Sequence, residues 1–291
     1  MTAHRSGGGY LRAVSHLTRR QIGDLLARYQ ISPSKAWGQN FVADPNTVAR
    51  IARLAEVGPG DRVVEVGAGL GSLTLALADT GARVVAVEVD PRLVAALHEV
   101  VEGTDVEIVE GDALHLDWPR VLGDARGTWA LVANLPYNVA TPLLMSLLAG
   151  VPAIDRMLVM VQREVGERLA AGAGDDAYGA VSAKVAYWAT AKVAGRVPPT
   201  VFLPQPKVES VLVRLVRRPS PAVAGDESDR QWLFHLIETA FNQRRKMLRR
   251  SLAGVVQTDA FAVAGIPPDA RPEEVGIEAW GRLAAATKRR P

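Results

Sequence analysis

Residues 61–90 read DRVVEVGAGLGSLTLALADTGARVVAVEVD, and this stretch decides the fold. Arg62–Val66 is a short Val-rich run, Ser72–Asp79 carries helical spacing, and Arg83–Val89 is a second Val-rich run. Between the first run and the helix lies Glu65-Val-Gly-Ala-Gly-Leu-Gly71. Two Val-rich strands, joined by a glycine turn and a helix, form a parallel pair buried on both faces. The alternation continues outward. A helix over Pro91–Val101 is followed by strands at Val106–Val109 and Trp129–Ala133, a helix at Thr141–Leu148 and a strand at Met157–Val161. The pattern predicts an α/β fold with a mostly parallel, doubly wound sheet. Val181–Val193 and Ser210–Val216 are expected as later, antiparallel strands.

On the N-terminal side, residues 1–17 read as a flexible tail and 18–31 as a helix. A second helix starts at Asp44-Pro45, a cap followed by proline at the first helical position, and runs to about Ala55. On the C-terminal side, Pro219–Asp229 is rich in Pro, Ala, Gly, Asp and Ser and reads as a linker. Helical segments follow at Gln231–Leu252, Asp259–Ala264 and Glu273–Thr287. The expected organisation is a tail (1–17), an α/β domain (18–219) and a small all-helical C-terminal domain (220–291).

Composition narrows the chemistry. There is no cysteine, which removes disulfides, thiolate catalysis and Cys-ligated metal. The five histidines show no ligand spacing, so no metal site is expected. No apolar stretch approaches the ~18 residues of a membrane span. A cytoplasmic location without membrane attachment follows as an expectation. The net charge of +3 is spread unevenly: residues 1–38 hold six Arg or Lys and one Asp, and Arg244-Arg245-Lys246 with Arg249-Arg250 form a second basic knot. Local positive field is what a phosphate backbone responds to.

The glycine loop ends at a helix N-terminus, where backbone approach is unobstructed and partial positive charge collects. A dinucleotide fingerprint would place its third glycine at position 72, which is Ser72. The G-x-G-x-G spacing suits a ligand without a pyrophosphate. Glu88 ends the second strand about 20 residues past the glycines, where a carboxylate accepts ribose hydroxyls. Asp112 ends the third strand and is placed to accept from an adenine amino group.

The fourth strand ends in Asn134-Leu-Pro-Tyr137. The Asn134 side-chain oxygen and the Leu135 carbonyl offer two acceptors for the hydrogens of an aryl amine. Pro136 stiffens the turn and supplies no competing N–H. Tyr137 offers a face on which a base stacks, worth ~1–3 kcal/mol. Asn and Pro are also ordinary turn residues, so it is the position, level with the glycine loop, that gives the motif its weight.

These motifs, with Gly38-Gln-Asn-Phe-Val-Ala-Asp44, Gly111-Asp-Ala113, Phe202–Ser210 and Ala240–Leu248, resemble the ribosomal RNA adenine N6,N6-dimethyltransferases of the small-subunit type. The likeness runs from about residue 18 to 285. It implies a Rossmann-like class I methyltransferase that uses S-adenosyl-L-methionine, yields S-adenosyl-L-homocysteine, and dimethylates N6 of two adjacent adenines near the 3′ end of 16S rRNA. By the resemblance, Asn40 and the backbone at Val42 contact the cofactor, with Gly67, Gly69, Glu88, Asp112, Ala113 and Asn134. Val42 stands where the family usually has Leu, and Ala68 where it often has Pro; neither change removes a main-chain contact or a glycine. The implied partner is the small ribosomal subunit or its precursor, met by a monomer.

Phosphate contacts are expected from Arg19, Arg20, Arg28 and Lys35, and from Asn242, Lys246, Arg249 and Arg250 on one face of the helix 231–252, with Arg244 packed in its apolar stripe. Arg163 and Arg168 are further candidates, against the alternative of a helix laced by a Glu164–Arg168 pair. Such contacts set affinity and salt dependence rather than sequence choice. Two other readings stay open: a large-subunit adenine methylase of the macrolide-resistance type, and a non-catalytic RNA-binding assembly factor on the same fold.

Overall fold

The computed structural model describes residues 16–33, 38–123, 128–267 and 269–287. In chain order the elements are α1 (Arg19–Arg28), β1 (Phe41–Val42), α2 (Pro45–Ala55), β2 (Arg62–Val66), α3 (Ser72–Ala78), β3 (Arg83–Glu88) and α4 (Pro91–Val100). Then come β4 (Glu107–Glu110), α5 (Trp118–Leu122), β5 (Trp129–Asn134), α6 (Ala140–Gly150), β6 (Ile154–Gln162), α7 (Arg163–Ala170) and α8 (Ala180–Trp188). The last are β7 (Ala189–Val197), β8 (Phe202–Leu203), β9 (Ser210–Arg217), α9 (Glu227–Phe241), α10 (Leu248–Ser251), α11 (Thr258–Val263) and α12 (Ile277–Thr287).

The main sheet runs β4-β3-β2-β5-β6-β9-β7. The pairs from β4 to β6 are parallel, and β9 is antiparallel to both β6 and β7. Period-2 alternation explains the Val-rich strands. Val64, Val66, Val85 and Leu131 face a core closed by α5 and α6 through Trp118, Leu143 and Leu147. Val63, Val84, Ala130 and Leu158 face the opposite core, closed by α2 and α3 through Ile51, Ala52 and Leu77. Full burial of a Val, Leu or Ile side chain stabilises by ~1.5–3 kcal/mol, so both faces demand apolar residues. Asp44 caps α2 by accepting from Thr47 N at 2.8 Å, with Pro45 next, as its sequence requires.

Two predicted elements differ. The strand expected over Val181–Val193 is α8 followed by β7. This helix is buried on both sides: Val185 faces the sheet, and Ala183 and Tyr187 face the C-terminal helices. A short apolar run buried all round has no periodicity to separate strand from helix. The single helix expected over Gln231–Leu252 breaks after Phe241, turns through 242–247 and resumes as α10. The break drops fully buried Leu248 into the core, with its N–H donating to the Ala270 carbonyl at 2.8 Å. Within the stretch read as a linker, α9 already begins at Glu227, capped by Asp226. The sequence reading also passed over α5, β1 and β8. The C-terminal helices enclose Trp280, Leu236 and Phe261, and their core takes in Tyr178 and Tyr187 from before residue 219.

Candidate active site

A cavity of about 370 Å³ lies at the edge where the parallel strands end at their C-termini, the place where open α/β sheets bind ligands. Its size falls within the ~300–1,000 Å³ of small-molecule sites. Asn40, Val42, Gly67, Gly69 and Glu88 line it, and so do Asp112, Ala113, Asn134 and Pro136. Leu135 and Tyr137 are not among the lining residues: Leu135 is buried with its N–H on the Met160 carbonyl at 3.1 Å, and Tyr137, next to Pro136 on the same turn, is half-buried.

The loop glycines Gly67, Gly69 and Gly71 all have positive φ. At Gly69, with φ +59°, a Cβ would stand 3.1 Å from the Phe41 ring. Gly38, φ +62°, lies against the elbow: a Cβ there would come within 3.2 Å of Pro136 Cβ and of the Tyr137 backbone nitrogen. The segment around Gly38–Asn40 is therefore pressed onto the Asn134 turn. Asn134 Nδ2 donates to the Asn40 carbonyl at 2.9 Å. Anchoring the NH₂ end leaves the Asn134 carbonyl oxygen as the acceptor the side chain can offer. The Pro136 carbonyl is taken by the N–H groups of Val139 and Ala140, which start α6; the Leu135 carbonyl is outside that cap.

Glu88 is buried, and its carboxylate accepts from Gly69 N at 2.8 Å, Val89 N at 2.8 Å and Asp90 N at 3.0 Å. A carboxylate has ~four acceptor positions, so the bonds in place leave room for about one more. Burial raises the Glu88 pKa; the three backbone donors oppose the rise, and the Asp90 charge adds to it. Asp112 is half exposed and accepts from Leu114 N at 3.0 Å, with His115 Nδ1 at 2.8 Å. These two contacts, the backbone donor foremost, hold its carboxyl below the usual range.

Glu65 is the residue whose position the sequence reading did not use. It lines the cavity, is 1 % exposed, and its Oε2 has no hydrogen-bond partner within bonding distance among the described residues. Burial chiefly, with the Glu88 charge, pushes its pKa up to about 8. Ser72, also on the wall, has a buried hydroxyl with no partner among the described residues. A cavity with a buried carboxylate that has a spare acceptor position at one strand end and further polar oxygens at another has groups suited to an adenosine ligand bearing an amino-acid arm.

Of the basic residues singled out, Lys246, Arg249 and Arg250 are exposed and form no ion pair with a described residue. Lys246 lies on the turn after α9, not on a helix face. Arg244 is tied down, donating to the Asp176 carbonyl at 2.7 Å and lying 3.8 Å from Glu273. Arg19 donates to the carbonyls of Thr200 and Phe202 at 2.7 and 3.2 Å, Arg28 pairs with Glu99, and Arg20 stands exposed beside Asp24. Arg163 pairs with Glu209 at 3.2 Å and Arg168 with Glu164 at 2.9 Å, so the ion pair named in the laced-helix alternative is present on α7. Lys35 lies outside the described residues. Among the described residues no helix is long and apolar enough to cross a membrane.

The family model described as "Ribosomal RNA adenine dimethylase" matches residues 32–287. The chain belongs to this family. Among its relatives, the ribosomal RNA small subunit methyltransferase A of Kineococcus radiotolerans is 48% identical, covering 93% of this chain and 91% of that protein. The protein of the same name from Thermobifida fusca is 47% identical, over 92% and 95%. In three dimensions the chain is similar to the 23S rRNA methyltransferase ErmE (TM-score 0.66, 27% identity, 85% and 99% covered). It also has the fold of a dimethyladenosine transferase from Plasmodium falciparum (TM-score 0.68, 22% identity, 82% and 94% covered). This ribosomal RNA adenine dimethylase is thus a Rossmann-like class I methyltransferase, and S-adenosyl-L-methionine is its cofactor.

Proposed function

We propose that the protein transfers methyl groups to N6 of two adjacent adenines near the 3′ end of 16S rRNA, as a monomer acting on the small ribosomal subunit or its precursor in the cytoplasm. The observation that carries the reading is the Asn134 elbow. Its side chain is fixed by the Asn40 carbonyl at the wall of the cavity that Glu88 and Asp112 also line. The two relatives compared above carry the small-subunit name at 47–48% identity, whereas the 23S enzyme ErmE shares 27%. That gap favours the small-subunit substrate.

When bound, S-adenosyl-L-methionine supplies an electrophilic methyl on a sulfonium centre. Asn40, Val42, Gly67, Gly69, Glu88, Asp112, Ala113 and Asn134 are the residues assigned to hold it, and the Glu65 carboxyl lines the same cavity. Chain chemistry at the substrate is one of orientation. The adenine amine is a weak nucleophile because its lone pair is delocalised into the ring. The Asn134 oxygen and the Leu135 carbonyl accept its two hydrogens and turn that lone pair toward the donor. Pro136 keeps the turn rigid, and the Tyr137 ring takes the base face. Well-oriented reactants gain large effective concentrations, so positioning is where the rate comes from. The base has to leave its stack to reach the elbow, which suits unpaired or loop RNA.

Lys246, Arg249 and Arg250, with Arg20, Lys35 and the partly engaged Arg19 and Arg163, are assigned to phosphates. The division at residue 219, with the C-terminal helices as an RNA-holding unit, belongs to the same reading. The test is incubation with methyl-labelled cofactor and unmodified small and large subunits, then mapping of labelled bases. Label on two neighbouring dimethyladenines of the small-subunit RNA is expected. Label on the large-subunit RNA, or on neither, overturns the assignment.

A further inference from the structure

We infer that Ser210 is a positioning residue for the methyl transfer: its hydroxyl fixes the Tyr137 ring on which the target adenine lies. This rests on the reading of Tyr137 as the base platform.

Strand direction brings the two residues together. The parallel strands deliver their C-terminal ends to the cavity edge; β9 is antiparallel and delivers its first residue, Ser210. It is paired with Gln162 of β6 and with Val197 of β7. Two residues earlier in β6, Met160 pairs with Asn134. Ser210 therefore belongs to the sheet row just beyond the elbow. Its own strand reads Ser-Val-Leu-Val-Arg-Leu-Val, with Val211, Leu212 and Val213 all buried. A hydroxyl in such a run, itself wholly buried, needs a partner. The partner is Tyr137 Oη at 3.0 Å, where either oxygen can donate.

A tyrosine on a turn has two side-chain torsions to settle. The backbone of this turn is set by Pro136, but nothing in the turn itself sets the plane of the ring. The bond to Ser210 does so, from a strand locked on both sides. Burial raises the Tyr137 pKa, so the phenol stays neutral and the bond intact at physiological pH. A residue that merely filled its own hydrogen-bonding need would leave catalysis indifferent to the phenol.

The full chain and unmodified small subunits provide the assay, with cofactor affinity and thermal midpoint measured beside kcat and KM. Ser210→Ala and Tyr137→Phe are each expected to lower kcat about five- to tenfold, the scale of one lost hydrogen bond. The double variant is expected to fall no further than either single one, with cofactor affinity unchanged, and Ser210→Thr to restore most of the rate. Additive losses, or a wild-type kcat in Tyr137→Phe, overturn the inference even if Ser210→Ala fails to fold. Tyr137→Ala separates the two levels. If Tyr137→Ala is as active as wild type, the platform reading falls and this inference with it. If Tyr137→Ala is disabled while Ser210→Ala is not, the role given to Ser210 alone is wrong.

Discussion

Gly69 shows how one atom decides a site. Its φ of +59° strains any side chain, and a Cβ would stand 3.1 Å from the Phe41 ring, closer than an ordinary contact. Left-handed backbone costs a non-glycine residue ~1–2 kcal/mol before the contact is counted. Gly69→Ala is expected to lose at least that much in denaturant unfolding and to weaken cofactor binding; an unchanged midpoint contradicts the argument. Glu65 gives a second prediction. Its carboxyl is pushed from the ordinary 4.5 up to about 8, so between those values the folded chain keeps a proton that the unfolded chain has released. Stability without cofactor must then fall as pH rises through that window. Glu65→Gln has no proton to lose, so its melting temperature should gain on wild type from about pH 5 to about pH 8. Parallel curves would show that Glu65 is charged throughout. The glycine loop, Glu88 and Asn134 were legible in the sequence because spacing from a strand end fixes their place. Glu65 was not, because a missing partner is a property of the packed site. The bond between Asn134 and the Asn40 carbonyl joins residues 94 apart in sequence, and no local pattern announces it.

At the scale of elements, strands β2, β3 and β5 could be read to within a residue, since burial on both faces forces unbroken apolar runs. α8 could not, because the same double burial removes the helical period. The break after α9 was hidden because Leu248 happens to continue the apolar stripe while its backbone bonds elsewhere. That break has a consequence for RNA. Lys246 on the turn and Arg249 on α10 stand exposed without described ion-pair partners, whereas Arg244, also exposed, is engaged by the Asp176 carbonyl and Glu273. Each phosphate contact to a single strand contributes ~0.7 to the slope of log affinity against log salt. Lys246→Ala with Arg249→Ala should flatten the slope for RNA by about 1.4 while leaving cofactor binding untouched. A slope equal to wild type assigns these cations to solvent.

Across the whole molecule, one core lies on one face of the sheet, two lie on the other, the second of these under α1 and α4, and a further core inside the C-terminal helices contains fully buried Trp280. Trp280→Ala should cost ~3–5 kcal/mol of stability, read from chemical unfolding, and a loss below about 1 kcal/mol would mean that this core is not cooperative with the rest. The proposed methyl transfer depends on the Asn134 elbow presenting an adenine amine at the mouth of the cofactor cavity. The direct measurement is single-turnover methylation by Asn134→Ala at saturating cofactor, with RNA affinity determined on the same preparation. A rate at least ~100-fold lower with RNA affinity kept is expected, the scale set by misplaced reactants. A wild-type rate in that variant would contradict it.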